Sequence, residues 1–144
     1  MSAMRTPFVH LLTAVVLAVA AAGCIIVVEE DDDYYSELHG SSWYLEIIWI
    51  HGHSHRVQQQ DYALSFASEN ELTGTAGCAS FTAGYDLADQ EIRINRFRTS
   101  TFGCQDDDLR SLFLEHLPEV SDLEVDGVQL EMTTEAGNRL VFGR

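Results

Sequence analysis

Three histidines alternate in His51-Gly52-His53-Ser54-His55, an unusual cluster of imidazoles. In an extended strand, residues i, i+2 and i+4 share a face. Imidazole binds zinc, copper and nickel well. The same spacing works against a single site. Alternate residues of a strand stand ~7 Å apart, whereas zinc–nitrogen bonds are ~2.1 Å long. Three rings meet at one ion only if the loop curls, and no cysteine or carboxylate is adjacent. The spacing therefore predicts a mobile polar hairpin between two strands. Metal binding by His51, His53 and His55 is the weaker alternative. His39 and His116 read as structural, His116 because the last turn of a helix favours a cation. Catalytic signatures are missing. There is no Gly-x-Ser-x-Gly elbow, no His-Glu-x-x-His and no phosphate loop, and no lysine anywhere to act as base or Schiff-base former. The expectation is a protein that is not an enzyme and needs no cofactor.

The cysteines carry the next chemistry. Residues 1–23 have the three parts of a secretory signal: Arg5, an apolar run from Phe8 to Ala22, and small residues at its end. Ala21-Ala22-Gly23-Cys24 resembles the lipobox of bacterial lipoproteins, in which the cysteine thiol is lipidated and becomes the new N-terminus. The alternatives are an uncleaved anchor, since Leu11 to Val28 approaches the ~18–20 residues of a membrane span, and plain secretion. All three place the remainder outside the cytoplasm. With Cys24 lipidated, Cys78 and Cys104 remain. In an oxidising compartment that even remainder reads as a disulfide. Its ring spans 104 − 78 = 26 residues, worth about 3 kcal/mol in the loop-entropy model. The alternative is two buried thiols packed as small apolar residues.

Charge bounds the partners. The chain has 8 Lys+Arg against 23 Asp+Glu, a formal charge of −15. Loss of the signal removes one arginine and no acid, leaving −16. Such a chain has little electrostatic reason to approach nucleic acid or anionic headgroups. Its acidity most simply keeps it soluble. Glu29-Glu30-Asp31-Asp32-Asp33 repels itself, so residues 24–39 read as an extended acidic tether. Residues 40–144 suit one small domain.

These side chains need elements to position them. Trp43 to Ile50 reads as a buried strand. Tyr62, Leu64 and Phe66 alternate with small residues, and further strands are expected over 72–76, 81–88, 91–97, 123–125, 128–132 and 139–142. Asp126-Gly127 is a strong two-residue hairpin signal. One segment changes period: Leu109, Leu112, Phe113, His116 and Leu117 form a helical stripe. Asp106-Asp107-Asp108 precede it as capping carboxylates, and Pro118 ends it. The fold expected is mainly β with one helix. It is a small, closed or partly open antiparallel β-barrel of about eight strands, with the helix plugging one end or packed on its side.

At the centre lie Gly74, Gly77, Cys78, Gly84 and Tyr85. Ser100-Thr101-Phe102-Gly103-Cys104, Leu112-Phe113-Leu114 on the helix and a final hairpin follow, with Trp43-Tyr44-Leu45 as opening. This ordered set resembles the META domain, also called HslJ-like. It departs from that family at Ala79, where asparagine is usual, and at Phe102-Gly103, where Arg-Met-Ala or Met-Met-Ala is usual. The resemblance implies a small barrel-like domain, often a lipoprotein of the bacterial envelope associated with stress response, and implies no enzyme. Three functions follow as expectations. The first is a non-enzymatic envelope lipoprotein, held at the outer membrane by lipid, that binds or supports an envelope protein. The second is a barrel for a small apolar ligand or lipid tail. The third is periplasmic metal binding through the histidines.

Overall fold

Period-two alternation sets the inward faces of this protein. In the computed structural model, residues 36–58, 60–68 and 70–144 are described. The expected signal segment 1–23, the expected lipid-bearing Cys24 and most of the expected acidic tether lie outside the described residues. The strands are β1 (Ser42–Ile50), β2 (His53–Arg56), β3 (Tyr62–Ser68), β4 (Glu71–Ala76), β5 (Ala79–Ala88), β6 (Glu91–Ser100), β7 (Val120–Asp126), β8 (Gln129–Thr134) and β9 (Arg139–Gly143). Helix α1 (Asp108–His116) and the 3-10 turn Leu117–Glu119 connect β6 to β7.

Every pairing between strands is antiparallel, and β9 returns to β1 through Leu45↔Phe142 and Ile48↔Leu140. Eight strands thus close a barrel, as expected. The ninth, β2, is an addition built from the histidine segment. It pairs with the upper half of β1, from Ile47↔Arg56 to Ile50↔His53, while β3 pairs with the lower half. Closure leaves fewer free edges to recruit another chain. The weakest seam lies between β6 and β7, joined by the single pair Glu91↔Asp122 and by Leu123 N–H to the Gln90 carbonyl at 2.8 Å.

Seven aromatic side chains run through an otherwise aliphatic core. Trp43, Tyr62, Phe66, Phe81, Tyr85, Phe113 and Phe142 are buried. Helix α1 plugs the barrel rather than lying on its side. The Phe113 ring meets Tyr62 from β3, Phe81 from β5 and Phe142 from β9, with centroids 5.9, 5.8 and 6.2 Å away. Edge-on contacts of this kind add to plain area burial.

Three expectations need correction. The apolar run Trp43 to Ile50 is not buried on both faces. A bulge between Leu45 and Ile47 switches phase, so Trp43, Leu45, Ile48 and Ile50 point inward while Tyr44 and Glu46 are exposed. Val128 is not in a strand. The hairpin turn is Gly127-Val128, closed by Asp126↔Gln129, and Gly127 takes φ 56°, which leaves Val128 exposed. On α1, Leu109 and Leu112 are only half-buried, and the buried set includes Arg110.

Candidate functional site

The glycine–cysteine segment forms one corner of the barrel. Strand β4 turns into β5 through Gly77-Cys78 alone. Gly77 takes φ 64°, a left-handed conformation that glycine adopts without steric cost. Cys78 is exposed at the tip. It is bonded to Cys104, with Cα atoms 5.8 Å apart, so the disulfide expectation holds. Gly74 is required by proximity: a Cβ there would collide with the Ala63 carbonyl and the Phe81 ring. At Gly84 a Cβ would collide with the Asn95 and Arg96 side chains. Tyr85 anchors the far end of the segment. Its hydroxyl donates to the Ser68 carbonyl at 3.1 Å and lies 3.0 Å from His39 Nε2.

Helix α1 begins beside this corner. Asp107 adopts extended backbone (φ −147°, ψ 117°) and caps the helix. Its Oδ1 accepts from the N–H groups of Leu109 and Arg110 at 2.9 and 3.4 Å. Its Oδ2 accepts from the Tyr62 hydroxyl at 3.0 Å. Asp107 is thus singled out from the expected triplet, because one carboxylate serves both helix and barrel. Burial pushes the Tyr62 hydroxyl pKa well up, and its bond to Asp107 with the charges of Asp107 and Asp61 push the same way. Burial also pushes Asp107 upward, but donation from Tyr62, Arg110 and Leu109 and the Arg110 charge outweigh it and hold that carboxyl below its ordinary value.

Arg110 is the residue that sequence reading missed. It is buried, donates from Nη1 to Cys78 Sγ at 3.6 Å, and donates from Nη2 to the Gln105 carbonyl. The available signal was its helical phase: Arg110, Phe113 and Leu117 stand at i, i+3 and i+7.

The histidine cluster disperses. His51 sits in the β1–β2 turn at φ 48°, and its backbone N–H donates to Asn138 Oδ1 at 3.1 Å. His53 and His55 pair with Ile50 and Ile48, and all three histidines are exposed. Among the described residues no three His, Cys, Asp or Glu side chains are grouped to hold a metal ion. His116 instead lies 3.2 Å from Glu119.

A second concave region opens at the β6–β7 seam, a cleft of about 800 Å³. Asp86, Glu91, Glu119, Asp122 and Glu135 line it, and among the described residues Arg93 is the one cation in its wall. No local spacing in the sequence marks it, because its walls come from β5, β6, the 3-10 turn, β7 and the β8–β9 turn.

The META domain model matches residues 36–144. The chain belongs to the META domain family. Among solved structures, its fold is similar to that of a protein from Burkholderia xenovorans determined by NMR. The TM-score is 0.63 at 17% identity, over 78% of this chain and 86% of that one. A second NMR structure matches at TM-score 0.57 and 19% identity, over 75% and 92%. A DUF4847 family protein from Bacteroides vulgatus ATCC 8482 matches at TM-score 0.56 and 11% identity, over 76% and 96%. At these identities the likeness is one of fold. No curated protein matches the chain.

Within this META domain, the two departures occupy opposite environments. Ala79 is buried at the start of β5, whereas Phe102 is 101% exposed on the β6–α1 loop. The core takes up the first, and solvent faces the second.

Proposed function

We propose that this META domain protein is a non-enzymatic cell-envelope lipoprotein, anchored through Cys24, with a stress-associated role in binding or supporting another envelope component. The observation that carries a surface role is the filled interior. Phe113 and the rings around it occupy the barrel mouth at the helix end, where a lipid tail would otherwise enter. An apolar ligand inside the barrel is therefore the weaker reading. The cleft at the seam is polar and acidic, which suits a neutral or cationic partner better than nucleic acid or a lipid tail. Metal binding is supported least, since His51, His53 and His55 do not converge. No helix among the described residues is long and apolar enough to cross a membrane, and the anchor is proposed on Ala21-Ala22-Gly23-Cys24 alone.

Intact mass spectrometry of protein recovered from its own membranes tests this. The expected species begins at Cys24, carries acyl chains and holds one disulfide. A species retaining Met1, or one cleaved but without lipid, would overturn the anchor.

A further inference from the structure

The Cys78–Cys104 disulfide has a polarity that a simple staple does not need. Cys78 is exposed, and the guanidinium of buried Arg110 points at its sulfur from 3.6 Å. That guanidinium also donates to the Gln105 carbonyl, and the Asp107 carboxylate lies near enough to feel its charge without forming a salt bridge to it, so Cys78 Sγ is the side-chain atom it donates to. A disulfide sulfur is neutral and a weak acceptor. A thiolate is a charged acceptor and takes a stronger bond from a guanidinium. The cation is therefore better matched to Cys78 as a thiolate than as half of a disulfide. Neighbouring arginines lower thiol pKa values in this way, and the sulfur of lower pKa leaves faster in exchange.

We propose that Cys78–Cys104 is a thiol–disulfide exchange site, opened at Cys104 by an incoming thiolate, with Cys78 as the leaving group and Arg110 as its positioning residue. The thiolate attacks Cys104 Sγ, the S–S bond breaks, and its electron pair leaves on Cys78 Sγ. One thiolate is consumed and one is formed, and the incoming sulfur stays bonded to Cys104 as a mixed disulfide. A second thiolate then attacks the incoming sulfur, displaces Cys104, and carries both sulfurs of the reductant away as its disulfide. The substrate class is a thiol, either a small monothiol or a protein dithiol. Cys104 is accessible to both, as it lies half-buried in the otherwise exposed stretch 101–106. The fully exposed Phe102 offers a protein reductant an apolar contact two residues away.

The barrel is built to survive the opening. Asp107 remains held by Tyr62 at 3.0 Å, and Phe113 remains in the aromatic core. Opening releases the loop before α1 and leaves the helix in place, so the step is reversible.

The test starts with the oxidised protein and reduced glutathione, quenched with an alkylating agent and mapped by peptide mass spectrometry. The expected adduct is glutathione on Cys104 with the alkyl group on Cys78. Dithiothreitol in a second arm should leave both cysteines alkylated and no mixed disulfide. Preference for the small monothiol or for a dithiol protein such as a thioredoxin separates the two sources. In the reduced protein, the alkylation rate of Cys78 should rise at a lower pH than the ~8.5 of a free thiol. R110M should abolish that displacement and slow exchange at Cys104, because a leaving thiol of higher pKa departs more slowly. R110K should restore part of it. Because R110M removes a buried side chain, the wild-type adduct map stands as an independent test. Glutathione on Cys78, no adduct on either cysteine, or a Cys78 profile unmoved from that of a free thiol would each overturn the proposal.

Discussion

Two regions of this META domain carry side chains able to do chemistry, and they behave in opposite ways. The β1–β2 hairpin holds three histidines within five positions, yet all are exposed and no metal-holding group forms. The corner beneath α1 draws on Tyr62, Cys78, Cys104, Asp107 and Arg110, up to 48 positions apart by residue number. There the contacts are 3.0 to 3.6 Å and two pKa values are displaced. Closeness in the chain is not closeness in space. An edge strand gives its side chains parallel exits into solvent, whereas a barrel end closed by a helix forces distant ones together and buries some of them, Tyr62 and Arg110 here.

The sharpest way to break the corner is to remove what seats the helix. Phe113→Ala should cost about 3–5 kcal/mol, read from the midpoint of denaturant unfolding. Removing the covalent tie is next. Cys78→Ser with Cys104→Ser should lower stability by about 3 kcal/mol, and thiol labelling of the unfolded, non-reduced wild type should find neither Cys78 nor Cys104 reactive.

The shared carboxylate follows. Asp107→Ala loses a helix cap and the partner of Tyr62, at about 1–2 kcal/mol. Because Asp107 is held below its ordinary pKa, its contribution is present above about pH 4 and is lost as pH falls through the lowered folded value. Asp107→Asn should therefore flatten the acid limb of a stability–pH curve. Tyr62 works from the other side. Its pKa is raised in the fold, so its contribution is full below about pH 10 and is lost as pH rises beyond that. Tyr62→Phe should cost about 1 kcal/mol at neutral pH and remove part of the alkaline loss.

The smallest effect belongs to the hairpin. Changing His51, His53 and His55 together to alanine should move stability by no more than about 0.5 kcal/mol. The calorimetric zinc isotherm should be unchanged. Micromolar zinc affinity that disappears in the triple variant would erase the contrast between the two regions.

Local patterns were enough for several elements. Tyr62, Leu64 and Phe66 revealed the inward face of β3, and the Phe113 phase with the preceding aspartates revealed α1. The β1 bulge was not legible, because a phase switch is set by pairing with β9. Nor was the acidic cleft, whose carboxylates come from five separate elements.

By itself the sequence determined the period-two faces, the helix with its cap, the cysteine pair and the ordered motif of the META family, since each depends on residues near one another or on counting. Only the tertiary structure decided that β9 closes on β1 and that Phe113 fills the mouth. It alone placed Tyr62 on Asp107 and Arg110 on Cys78, because those contacts exist only once barrel closure has brought together side chains that the chain keeps far apart.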